Sequence, residues 1–272
     1  MTLWEAVFCG IVQGLTEFLP VSSSGHLALA HALFGVDAGG SALSFDILLH
    51  LATLAVVFVV YHKDVFGLIR AALTLPRSLV CGRFRLCRLC REERTVLLLI
   101  VGTLPMAGAL FVGDAAQTLS VYPRAVGVML ILNGFLLLFS DRLSKERGKT
   151  LPSVGGALGI GLFQLLAVIP GISRSGSTIA GGMLFGLSRE KAVKFSFLMS
   201  IPAVLGANIV HIPEVLSTPV PHTVLGYYAV GMAAALLSGF AAMKFLAYIS
   251  AKEKFGFFAY YCISVGALAF LC

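Results

Sequence analysis

Two short stretches of this chain place chemically capable side chains among apolar neighbours. The first reads QGLTEFLPVSSSGH, Gln13 to His26, and the second PGISRSGSTIAGG, Pro170 to Gly182. In the first, Gln13 and Glu17 stand four residues apart and share one helical face. Pro20 is expected to end that helix, Ser22, Ser23 and Ser24 to form a turn, and Gly25 and His26 to open the next helix. In the second, Arg174 is flanked by Ser173 and Ser175, with Gly171 and Gly176 close by and Thr178 one turn on. A helix is expected to start near Ser175. A guanidinium, hydroxyls and backbone amides at a helix N-terminus suit an anion of several oxygens, phosphate above all.

Brought together, the two stretches would make one site. Glu17 could hold a divalent cation, with Gln13 as a neutral second oxygen ligand. That cation and Arg174 would neutralise a diphosphate. His26 could act as base or nucleophile, or activate Ser23. Phosphoryl transfer asks mainly for positioning and charge stabilisation, which these residues supply. Plainer readings stand beside this one. Glu17 could line a wet vestibule, Arg174 could merely neutralise Glu17, and His26 could be a hydrogen-bonded core histidine.

The elements that must carry these residues are membrane helices. Of 272 residues, 58% are hydrophobic and 12% charged, and the mean hydropathy is +0.94. No soluble domain hides that much apolar surface, and several runs approach the ~20 apolar residues that cross a bilayer. Met1–Cys9 lacks a basic segment, so no cleavable signal peptide is expected. The net charge of +7 reports topology and anionic lipid rather than nucleic acid. Six cysteines suggest no disulfide plan. Cys9, Cys262 and Cys272 read as small apolar packers. Cys87 and Cys90 form one Cys-x-x-Cys with no second pair, a weak zinc signal.

Long apolar spans read as 43–62, 95–113, 121–140, 192–211, 223–247 and 255–272. Basic residues cluster at 63–94, 141–150, 188–194 and 244–254, leaving Arg124 and Arg174 as exceptions. The positive-inside rule makes all four clusters cytoplasmic. The loops at 114–120 and 212–222 then fall outside, and they carry no Lys or Arg. Residues 1–42 and 151–187 fit as re-entrant hairpins, broken by Pro and Gly. Irregular backbone at membrane depth must be buried in protein or line a cavity.

The hairpins resemble each other. QGLTEFLPVSSSG (Gln13 to Gly25) and QLLAVIPGISRSG (Gln164 to Gly176) have the same length from Gln to Gly. FDILLHLATLAVV from Phe45 and FSFLMSIPAVLGA from Phe195 follow at nearly equal spacing. Entered from opposite sides, they imply a single integral membrane domain, 1–272, built as an inverted repeat. Repeat one covers about 1–140 and repeat two about 151–272, with the broken tips meeting near the midplane. The expected fold is thus an all-α polytopic membrane protein with six transmembrane helices and two re-entrant helix hairpins.

QGLTEFLPVSSSGH and PGISRSGST resemble the two signature motifs of the undecaprenyl-diphosphatase family, the bacitracin-resistance phosphatases, and the resemblance extends over most of the chain. It implies a multi-pass enzyme of the bacterial cytoplasmic (inner) membrane with its site facing the periplasm or outside. The reaction implied removes one phosphate from C55-isoprenyl diphosphate, leaving the monophosphate carrier for peptidoglycan and other wall polymers. It also implies a divalent cation (Mg2+ or Ca2+), a polyprenyl diphosphate substrate among membrane lipids, and bacitracin as competitor for that substrate. Residue by residue, Glu17 matches the essential acid and Gln13 the variable E/Q position. Ser23 and His26 match the catalytic serine and histidine, and Arg174 the diphosphate-binding arginine. Ser173 and Thr178 match phosphate-contacting positions, and Ser175 and Ser22 join them as candidate diphosphate contacts. His50 and Asp46 depart from the common Gln and Glu. Asp46 reads equally as a partner of the site or as a helix-end carboxylate facing water.

A lipid-phosphate transporter or flippase is the competing class, since broken helices in inverted repeats also build transporters. The group Glu17, Ser23 and His26 favours hydrolysis, because binding alone needs no base beside a hydroxyl. Whether Ser23 or His26 attacks phosphorus stays open, as does the oligomeric state, a homodimer included. The topology has a direct check. An impermeant thiol reagent added to intact cells should leave Cys81, Cys87 and Cys90 unlabelled, and external labelling would reverse the assignment.

Overall fold

Proline and glycine mark the two hairpin breaks of this protein, at Pro20 and at Pro170–Gly171. The computed structural model describes residues 2–34, 41–80, 89–143, 148–217, 222–252 and 255–271. Cys81 and Cys87 in the Cys/Arg-rich stretch, and Cys272, lie outside the described residues. The fold is all-α, and the described residues form no strand beyond an isolated bridge between Lys149 and Leu187.

The first broken hairpin is α1 (Leu3–Phe18) followed by α2 (Ser23–Phe34). Thr2 and Glu5 cap α1 reciprocally. Pro20 has no N–H to continue the ladder, and the chain turns extended at Leu19. Ser22 takes a positive φ of 75° and accepts the Gly25 N–H on its Oγ. Helix α2 therefore opens at Ser23, two residues before the position expected from the serine run. After the break come α3 (Ser41–Val60), α4 (His62–Val80), α5 (Arg91–Thr103), a 3-10 turn (Leu104–Gly108), α6 (Ala109–Ser120) and α7 (Pro123–Leu143).

The second hairpin is α8 (Val154–Leu166) and α9 (Arg174–Leu184). Gly171 sits in its break with φ 98°. A Cβ there would lie 2.6 Å from both Met129 Cβ and the Val126 carbonyl oxygen of α7. Backbone angle and close approach thus both demand glycine. Ser173 caps α9 through Gly176 N–H. The chain closes with α10 (Arg189–Ser217), α11 (His222–Lys252) and α12 (Gly256–Leu268).

Two long helix pairs frame the breaks, joined by small residues. Gly10 and Gly14 of α1 lie against Gly231, Ala235 and Ser238 of α11. Gly127 and Gly134 of α7 lie against Gly266 and Ala259 of α12. Without a hydrophobic drive between helices in lipid, such close approach supplies the packing energy. Helix α8 packs against α5 and the 3-10 turn, and α3 against α10. Phe18 and Phe197 meet edge to face at the core, 5.6 Å apart. Asp141 pairs with Arg189 and Asp64 with Lys194, so three of the basic clusters gather at one end.

Among the described residues four helices are long and apolar enough to cross a membrane: Arg91–Gly113, Pro123–Arg142, Arg189–Val210 and Val224–Ala251. Ser44–Val60 with His62–Pro76 makes a fifth candidate only as a pair bent by 92°. The stretch expected to span at 255–272 contains Gly256–Leu271, which is shorter. Residues 62–80 are not a loop but the amphipathic α4. Its Phe66, Ile69 and Leu73 are exposed, and Lys63 and Arg70 sit on the same helix. Nor are 114–120 a loop. Pro105 breaks the ladder in the 3-10 turn, and the helix then resumes as α6 through Ser120.

Asn133 of α7 holds both breaks. Its Nδ2 donates to the Pro20 carbonyl and its Oδ1 accepts the Ser173 N–H, each at 3.0 Å, in a buried setting. Asn133→Ala should strand two buried backbone groups at a cost of roughly 1–3 kcal/mol each. Thermal unfolding in detergent should fall by several degrees relative to the exposed-site control Leu132→Ala. Equal midpoints would show that the breaks hold together without it.

Candidate active site

Asn133 brings the two breaks together, and what they enclose is polar. Between them and α3 and α10 lies a cavity of about 360 Å3. The first break contributes Glu17, Ser23 and Ser24 to its wall, and the second contributes Gln164 and Arg174. Helix α3 adds Asp46 and His50, one turn apart. Ser23, Ser24 and Arg174 belong to the first turns of α2 and α9, so two helix N-termini border the cavity.

Glu17 is the hub. Its Oε1 pairs with Arg174 Nη2. Its Oε2 accepts Gln13 Nε2 at 3.0 Å and Ser23 Oγ at 2.8 Å. His50 Nε2 stands 3.7 Å from the same oxygen. His50 Nδ1 contacts the Asp46 carbonyl at 2.8 Å, which fixes the proton on Nδ1 and leaves Nε2 an acceptor in the neutral ring.

Several buried groups here lack hydrogen-bond partners. They are Arg174 Nη1, both amide atoms of Gln164, and Asp46 Oδ1, which faces His31 Nε2 at 3.6 Å. Buried polar groups are nearly always satisfied. Unmet donors and acceptors around one cavity mark a place for a polar ligand.

The structure divides the residues singled out from the sequence. Glu17, Ser23 and Arg174 meet. Gln13 lies behind Glu17 rather than on the cavity wall, and its amide orients the carboxylate while its Oε1 stays buried and unpartnered. His26 turns away. Its Nδ1 contacts the Ser22 carbonyl at 2.7 Å and its Nε2 the Tyr261 hydroxyl at 3.0 Å, and the two rings stack. The other hydroxyls are spent on the framework. Ser173 caps α9, and Ser175 Oγ reaches across to the Leu19 carbonyl at 3.1 Å. Thr178 bonds the Arg174 carbonyl and Ser196, and Ser22 Oγ closes its own turn. None of these four lines the cavity.

Gln164 and Asn133 are not among the site residues that the sequence reading singles out. A lone Asn inside the apolar span 121–140 was the available signal for Asn133. For Gln164 it was the matching Gln at the head of each hairpin. Asp46 lies on the cavity wall beside His50 and faces His31. Among the described residues no three of His, Cys, Asp or Glu gather closely enough to hold a metal alone. The wall oxygens of Glu17, Ser23 and Asp46 nevertheless form a hard donor set, to which a phosphate ligand would add more.

Known proteins share this arrangement of sequence. A family model described as "Bacitracin resistance protein BacA" matches residues 6–268. A protein of Alkaliphilus metalliredigens named undecaprenyl-diphosphatase is 39% identical over 275 residues, covering 100% of this chain and 98% of its own. One of Rubrobacter xylanophilus with the same name is 40% identical, covering 98% and 97%. One of Methanosphaera stadtmanae, again so named, is 36% identical, covering 100% and 98%. With its two broken hairpins matched inside an alignment that runs nearly end to end, the chain belongs to the BacA family of bacitracin resistance proteins.

Proposed function

We propose that this protein is a membrane-embedded undecaprenyl-diphosphatase, cleaving the phosphoric anhydride of a C55 polyprenyl diphosphate to the monophosphate and inorganic phosphate. The observation that carries this reading is the Ser23–Glu17–Arg174 chain across two helix breaks, a hydroxyl, a carboxylate and a guanidinium in contact on one cavity wall. Full-length relatives bearing that name support it.

Arg174 already has one nitrogen without a partner, and turning its fork onto the diphosphate satisfies the rest. That movement leaves Glu17 facing Ser23. Ser23 Oγ passes its proton to Glu17 Oε2 and bonds the terminal phosphorus. The bond from that phosphorus to the bridging oxygen breaks, and the prenyl monophosphate leaves. Water then attacks the phosphoserine, giving its proton to His50 Nε2, and phosphate departs as Ser23 Oγ takes back the proton that Glu17 held. Gln164 offers its amide N–H groups to the phosphate oxygens. His26 is a positioning residue in this scheme, holding the Ser22 turn from which Ser23 projects.

Charge argues for a cation. Glu17 and Asp46 set two carboxylates against the single guanidinium of Arg174, which is unfavourable for a multiply charged diphosphate. A divalent cation, Mg2+ or Ca2+, held by Glu17 and Asp46 together with substrate oxygens, would neutralise that charge.

The reading includes six spans and two re-entrant hairpins in a single domain of inverted repeats, about 1–140 and 151–272. Two features support it. Each repeat's first helix packs on the other repeat, α1 on α11 and α8 on α5, and the counterparts α7 and α12 pair directly, as do α3 and α10. The joined ends of three basic clusters support reading that end as the cytoplasmic side of a cytoplasmic-membrane protein, with the cavity opening on the outer side.

The test is phosphate release from farnesyl diphosphate in detergent with Mg2+. Glu17→Ala, Ser23→Ala and Arg174→Ala should each lower turnover at least 100-fold. Arg174→Lys should come close to them, because an ammonium cannot reproduce the planar fork. EDTA should abolish release by the unaltered protein. Near-normal release by Ser23→Ala would remove it as nucleophile, and no release from folded unaltered protein would return the reading to a lipid-phosphate carrier.

A further inference from the structure

A second, larger cavity of about 800 Å3 runs between α5, the 3-10 turn and α6 on one side and α10 on the other. Its chemistry is the reverse of the first. No charged side chain lines it, whereas Glu17, Asp46 and Arg174 line its neighbour. The two are continuous. Met106, Val168, Ala203 and Ala207 belong to both walls and form an apolar lip between them. Val168 occupies in the second hairpin the place that Glu17 occupies in the first, four residues after the leading Gln. The same position in the repeat is thus a phosphate-side carboxylate on one tip and the threshold of a greasy groove on the other.

The groove exists because its walls are broken and small. Pro105 interrupts α5–α6 with a 3-10 turn, and α10 presents Pro202, Ala203, Gly206 and Ala207. A side chain added at Gly113 of α6 or Gly206 of α10 would meet nothing within 4 Å. Leu104, Leu110 and Val210 on its rim are more than half exposed, so the groove opens towards the surroundings of the helices.

We infer that the proximal isoprene units of the lipid substrate lie in this groove, entering over the Met106–Val168–Ala203–Ala207 lip while the diphosphate sits beside Arg174. The inference rests on the diphosphatase reading and adds to it where the tail leaves the site. A polar head and an apolar tail joined by one ester need adjoining compartments of opposite polarity, and this pair shares a lip. Burying each methylene strengthens binding. The groove therefore makes prenyl length a determinant of KM, and partly of kcat where it seats the head group.

The experiment compares kcat/KM for farnesyl and dimethylallyl diphosphate in the unaltered protein and in Gly206→Phe, with Gly113→Phe filling the groove from the opposite wall. The unaltered protein should prefer the longer diphosphate. Each filling variant should cut that preference at least tenfold, mainly through KM for the longer substrate. An unchanged preference in both folded variants overturns the inference. A benzophenone-tailed farnesyl diphosphate analogue supplies a readout that needs no turnover. Photolysis in nanodiscs should label residues 104–113 and 203–210, and excess farnesyl diphosphate should suppress the labelling. Labelling of other faces, or labelling there that farnesyl diphosphate leaves untouched, would make the groove a seat for bilayer acyl chains and sink the idea. Labelling at the groove without any hydrolysis would keep the tail site and discard the hydrolase.

Discussion

An ion pair between the buried Glu17 and the partly buried Arg174 is the contact on which the site depends. Neither charge would be tolerated alone among apolar helices, since an unpaired ion at membrane depth is costly. Each is carried on its own broken hairpin, so pairing them requires both breaks to reach the same point. That requirement explains the surrounding investment in hydrogen bonds. Asn133 grips Pro20 and Ser173, Ser175 crosses to Leu19, and Gly171 lets the second break press against α7. The two tips are thereby joined to each other and to α7.

Breaking two hairpins leaves four helix ends where a membrane offers no water. The serines meet that cost. Ser22, Ser173, Ser175 and Thr178 satisfy turns, caps and carbonyls. Ser23 and Ser24 remain on the cavity. A hydroxyl-rich motif in such a protein therefore divides between structure and chemistry, and only the fold says which serine does which. Residues that would count as substrate contacts by type are the scaffold that lets Arg174 and Ser23 be presented.

The two broken hairpins follow one sequence pattern and differ in the side chains they carry at matching positions. Aligned from the leading Gln, Ser23 corresponds to Arg174 and Glu17 to Val168; aligned from Phe45 and Phe195, Asp46 corresponds to Ser196. Matching backbone breaks place unlike side chains about one centre. One hairpin brings a hydroxyl and its carboxylate, and the other brings the guanidinium and an apolar threshold. A cavity with a charged wall and an apolar lip follows directly from that exchange, and it suits a ligand that is itself half anion and half hydrocarbon.

Composition and pattern by themselves determined that the chain is helical and suited to a membrane and that two hairpins are broken, and they singled out Glu17, Ser23 and Arg174, which meet on one cavity wall. Pro, Gly and charge act locally or through the bilayer, so their effects can be read along the chain. Sequence left His26 and Gln13 indistinguishable from cavity residues, because a side chain one helical turn from a reactive group can face either way. Tertiary packing turned His26 to Tyr261, set Gln13 behind Glu17, and brought Asp46, His50 and Gln164 onto the wall. It also assigned Asn133 its clamp and carried α4 off at 92° from α3. These are relations between helices far apart in the chain, set by which surfaces bury against which. No local pattern encodes them.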